Sequence, residues 1–150
     1  MVDILFHMWI LFAVGASLFW GLTYVFNERV YEKISVLTSL GITSLVVAII
    51  TILLSLIFGT LKSDVTLLMS SKPLLWYFIC GIIALLVAEI FIGFSITAKS
   101  ATLAGLVEIS YPIFIALFSY FFFKQGVSIP TILGGVVIFI GIFIIYFFNK

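Results

Sequence analysis

"VLTSLGITSLVVAIITILLSLIF", residues 36–58, runs for 23 positions without one Asp, Glu, Lys or Arg. As a helix rising 1.5 Å per residue it is roughly 35 Å long, enough to cross about 30 Å of hydrocarbon. No soluble core needs an uninterrupted apolar run of that length. Inside a bilayer the backbone must satisfy its own hydrogen bonds, so the stretch reads as a membrane helix.

Working outward, four more stretches of the same kind appear at 4–26, 74–96, 101–123 and 127–148. The ten-residue alternating segments of a membrane barrel are absent. Composition agrees: 65% of the 150 residues are hydrophobic and 9% charged, with a mean hydropathy of +1.44, where a soluble domain carries about 25% charged residues. The expected fold class is an all-α integral membrane protein, one five-helix domain over residues 1–150. The segment "MVDILFHMWILFAVGAS" lacks the basic start of a signal peptide and is too long for its apolar region, so it is expected to stay as the first span. A net charge of +1 offers nothing to nucleic acid. Cys80 and His7 have no partners at metal-ligand spacing, so no metal and no cofactor are expected. No nucleotide loop, zinc-protease or nucleophile motif is present, so the chain is not expected to be an enzyme.

The connectors are short or polar. "NERVYEKIS" (27–35) is expected to break the chain, as are "TAKSAT" (97–102) and "KQGVSIP" (124–130). Within the longest, "GTLKSDVTLLMSSKP" (59–73), the apolar residues 65–69 suggest an interfacial helix, and Pro73 suits the first turn of the next span. Five spans put the termini on opposite sides. Lys62, Lys72 and Lys124 would then face Arg29, Lys33, Lys99 and Lys150. Three against four is nearly balanced, which leaves room for insertion in both orientations.

Two carboxylates interrupt the apolar pattern: Glu89 in "LVAEIFIG" (86–93) and Glu108 in "GLVEISYP" (105–112). A charge at the bilayer centre costs about 2.5–3.5 kcal/mol on insertion scales. Glu89 lies ten residues before Lys99 and Glu108 nine after it, which places both about 14–15 Å from that turn, near the midplane. Helical spacing puts Ala101, Ala104, Gly105, Tyr111, Pro112, Ile115 and Ser119 on the side of Glu108, a small and polar wall. Pro112 can kink the helix and free the carbonyl of Glu108. Both carboxyl groups are candidate proton- or substrate-binding groups, with a structural, hydrogen-bonded role as the competing reading. Trp9, Ala13, Ala16, Ser17, Trp20 and Tyr24 share a face of the first helix. Trp9 and Tyr24 read as aromatic-belt residues, and the deeper Trp20 as a cavity wall. Gly41, Ser44 and Ala48 in the second helix, and Gly134 and Gly141 in the fifth, read as packing seams.

The order of these features resembles the EamA-type repeat of the drug/metabolite transporter superfamily. "LFWGLTYVFNE" (18–28), with its Trp20-Gly21 pair, is similar to the family's first helix. "TAKSATLAGLVEISYPIFIALFSYFFF" (97–123) is similar to its most recognisable stretch, and "QGVSIPTILGGVVIFIGIFIIYF" (125–147) to its closing helix. The resemblance implies a five-helix unit that normally occurs twice per chain in inverted orientation, enclosing a central cavity. The chain departs at Gln125, where many members carry Glu, and in lacking a basic residue around Gly41 to Thr43. The substrate class is therefore not carried over.

The expected function is secondary transport, by family analogy export, of a small organic metabolite or drug across the cell membrane. A dimer would complete the cavity, either an antiparallel homodimer or a heterodimer with a second half-size unit. Glu108 and Glu89 would bind protons or a cationic group, with Trp20, Tyr111 and Ser119 along the path. The alternatives are flipping of a lipid-linked sugar and a non-transporting membrane partner.

Overall fold

The computed structural model describes residues 2–148, with side chains from Met8 onward; the side chain of His7 and Lys150 lie outside the described residues. The described residues form seven helices and no strand: α1 (Val2–Tyr31), α2 (Val36–Ile57), α3 (Leu61–Ser70), α4 (Lys72–Ala98), α5 (Ala101–Glu108), α6 (Tyr111–Phe123) and α7 (Ile129–Phe148). Among the described residues five stretches are long and apolar enough to cross a membrane, at Met8–Tyr31, Val36–Ile57, Lys72–Ala98, Ala101–Phe123 and Ile129–Phe148. The chain divides into two compact units, Asn27–Thr97 and Met1–Phe26 with Ala98–Lys150.

In the Asn27–Thr97 unit, α1 continues through Asn27–Tyr31, where the polar composition suggested a break. None of these residues stops a helix, and Arg29 reaches Glu32 one turn on at 2.7 Å. Both side chains are exposed, so the pair shapes the turn more than it stabilises it. The chain then reverses at extended Ser35, whose hydroxyl accepts the Thr38 N–H at 3.3 Å. That N-cap contributes about 1 kcal/mol to starting α2. Gly59 ends α2 in the left-handed region at φ 71, where glycine has no Cβ penalty. The long connector is helical over all of α3, not 65–69 alone, and α3 packs on α2. Pro73 stands in the first turn of α4, as expected. Val36, Ser39, Gly93 and Ile96 are buried.

In the other unit, Ser100 (φ −169) caps α5 by accepting the Leu103 N–H at 3.3 Å. The span expected to be one helix with a kink at Pro112 is instead interrupted at Ile109 and Ser110. Their ψ angles of −6 and −16 are far from the helical value of about −42°. The Ser110 N–H donates to Val107 three residues back, at 3.2 Å, a 3₁₀-type contact. Proline explains the position. Inside a helix its ring collides with the carbonyl four residues earlier, which is that of Glu108, and costs about 3 kcal/mol. In the first turn of α6 the same proline is tolerated. Ser128 caps α7 by accepting the Thr131 N–H at 3.3 Å. α7 packs on α5 and α6, and a Cβ at Gly135 would stand 3.1 Å from Ile113 Cγ1.

The great majority of large apolar side chains in both units are exposed. A bilayer covers them without penalty, because lipid tails are as apolar as leucine.

Candidate functional site

Glu108 is the last residue of α5 and is half-buried. The hydroxyl of Tyr24, on α1, donates a hydrogen bond to its Oε2. The tyrosine ring crosses directly over Gly105, one turn before Glu108: a Cβ there would lie 3.2 Å from Cδ2 of Tyr24. Trp20, one turn earlier on α1, sets its ring at 5.9 Å and 56° to that of Tyr24. Ala101 and Ala104, on the same small-residue side of α5, are buried. Gly105 and Glu108 of α5 thus meet the same side chain of the first helix, that of Tyr24.

The interruption shapes the backbone around the carboxyl group. Pro112 has no N–H, so the carbonyl of Glu108 lacks its usual helical donor. The Ser110 N–H goes to Val107 instead of Leu106. The last turn of α5, which carries Glu108, therefore has carbonyl oxygens without helical donors at the negative end of the helix dipole. The negative end of a helix favours an ammonium group or another hydrogen-bond donor.

The predicted wall does not continue through α6. Tyr111 is 54% exposed and Ile115 55%. Ile113, Ala116 and Ser119 are the half-buried positions, at a spacing of three, and Ile113 meets Gly135 of α7. The Ser119 carbonyl accepts the Gln125 N–H at 3.2 Å. Trp20, the expected cavity wall, packs its ring against that of Tyr24.

Glu89 lies in the other unit, half-buried on α4. Tyr31, the last residue of α1, is within electrostatic reach of it. The Tyr31 hydroxyl also lies 3.5 Å from the position of a Cβ on Gly93, one turn after Glu89. In that unit a shallow, open groove of about 610 Å³ runs along α3 beside Gly59, Lys62, Ser63, Thr66, Leu67 and Ser70. None of the predicted site residues lines it.

The glycines expected to form seams, Gly41, Gly134 and Gly141, have nothing within 4 Å of where a Cβ would be. Ser44 and Ala48, in the same predicted stripe, are exposed. The close approaches fall at Gly93, Gly105 and Gly135. The sequence reading missed Tyr31 and placed Tyr24 in an aromatic belt. The available signal was their spacing of seven, which puts two hydroxyls on one face of a single helix.

No curated protein and no solved structure matches the chain. Residues 7–147 match the EamA-like transporter family, and five apolar spans fit one repeat of it. The chain is therefore a multi-pass membrane protein belonging to the EamA-like transporter family.

Proposed function

We propose that the protein is a secondary transporter of a small organic molecule, working as one five-helix domain in a dimer in the cell membrane, with Glu108 as its binding group. The observation that carries this reading is the place of Glu108, at the interruption of a membrane span beside carbonyls that have lost their helical donors. Discontinuous helices of this kind form ion and substrate sites in transporters, because irregular backbone at membrane depth persists only where it lines a cavity or is buried in protein. A carboxyl group at the negative end of α5 suits a cationic or donor-bearing substrate, or a proton exchanged for it. Glu89 is a second exchangeable carboxyl group. Export is the direction that family analogy favours.

A single repeat encloses half of a cavity, so a second copy in the opposite orientation completes it, and the near balance of Lys and Arg permits that insertion. The test is flux in reconstituted vesicles with a panel of small organic cations, anions and neutral metabolites under an imposed proton gradient. Wild-type flux should be lost in Glu108→Gln, which keeps the shape but not the titration. Equal flux in the variant would overturn the role of Glu108. Movement of a lipid-linked sugar, with none of the panel moved, would establish flipping instead, and no flux of either kind would favour a non-transporting partner.

A further inference from the structure

A phenolic hydroxyl in hydrocarbon needs an acceptor, because an unpaired one carries its full desolvation cost. Tyr24 finds that acceptor in Glu108 Oε2, and three features fix the approach. The side chain has only two rotatable bonds, so its reach is defined by the backbone of α1. Gly105 leaves the space through which the ring passes on its way to the carboxyl group. The tilted Trp20 ring bounds the other side.

A tyrosine and a glycine also stand near the carboxyl group of the Asn27–Thr97 unit. Tyr31 follows Tyr24 by seven residues on α1, its hydroxyl lies over Gly93, and Glu89 stands one turn from that glycine, within electrostatic reach. Only at Gly105 does the glycine admit the ring: at Gly93 the space of a Cβ is taken by Val36, and Tyr31 stands at ordinary contact distance. A belt tyrosine, which points its hydroxyl towards water, would need neither the glycine nor the acid.

We propose that Tyr24 is the positioning residue of Glu108, fixing the carboxyl orientation that a substrate's ammonium or hydroxyl donor meets, with Gly105 as the cleft that admits it. This rests on the transport reading for its purpose, and its test does not require transport. Infrared spectra of the protein in phosphatidylcholine vesicles identify the Glu108 carboxyl stretch as the band lost in Glu108→Gln. In Tyr24→Phe that band should shift, because the donor is gone while the ring remains. In Gly105→Ala it should also shift, because the hydroxyl is kept but the ring is displaced from its line of approach. Should Tyr24→Phe fail to accumulate in the membrane, Gly105→Ala carries the measurement alone. A purely structural tyrosine would lower thermal stability without moving the Glu108 band, and an unmoved band in the folded variants overturns the assignment. Loss of flux in Glu108→Gln is a separate readout, so failure of the positioning role and failure of the transport reading are told apart.

Discussion

The side chain of Val36 occupies the space that a Cβ on Gly93 would fill, bringing the first turn of α2 against the backbone of α4. Overpacking such a contact costs about 1–3 kcal/mol. Gly93→Ala should therefore lower the midpoint of thermal unfolding in detergent. Val36→Ala on its own removes buried methyl groups and also destabilises. Combined, the two substitutions should cost less than their sum, since the second vacates the space the first requires. Additive losses would mean that the two residues are not in contact.

Gly59 presents a purely conformational case. Its φ is 71, and a side chain there would touch nothing. Gly59→Ala should destabilise the protein by about 1–2 kcal/mol through backbone strain alone. Gly41→Ala, at an open helical position, should be neutral or slightly stabilising. Thermal melts of the two variants side by side separate strain from packing.

Pro112→Ala restores the N–H that Glu108's carbonyl lacks and removes the ring clash that holds the interruption. The span should then close towards a continuous helix, with slower hydrogen exchange at Ile109 and Ser110. If the irregular backbone serves the site, flux should fall several-fold while insertion and folding are kept. Retained flux through a closed helix would detach function from the interruption.

Orientation follows the Lys and Arg excess in the connectors. Reporter fusions after the last helix should score on both sides of the membrane. Adding two lysines at 125–128, where Lys124 is the single cation between α6 and α7, should drive the population to one orientation. A single orientation in the unmodified chain would rule out the proposed antiparallel homodimer and leave the heterodimer to be tested.

The five spans were legible because apolar length is a local property, and each run declares itself without reference to the others. The end of α1 was not, since Asn27, Glu28 and Arg29 are polar yet fully compatible with a helix, and polarity marks the edge of lipid more reliably than the edge of a helix. Pro112 was visible as a perturbation, but its effect falls on Ile109 and Ser110 because the clash acts on the carbonyl four residues back. Glu108 stood out by charge, and the small face of α5 by spacing. Tyr24 could not be assigned to it, because nothing local in "LFWGLTYVF" names a partner 84 residues away. Gly41, Gly134 and Gly141 show the converse limit: a small residue marks where another helix can come close, and the chain alone does not say whether one does.

That separation of 84 residues also sets a clock for biosynthesis. At about 5–20 residues per second, roughly 4–17 s pass between synthesis of Tyr24 and arrival of Glu108 at the ribosome. α1 is made well before Glu108, so the hydrogen bond from Tyr24 to Glu108 forms only after α2, α3 and α4 have been synthesised. The contact is thus a late step of assembly, closed by α5 after the first four helices have been made.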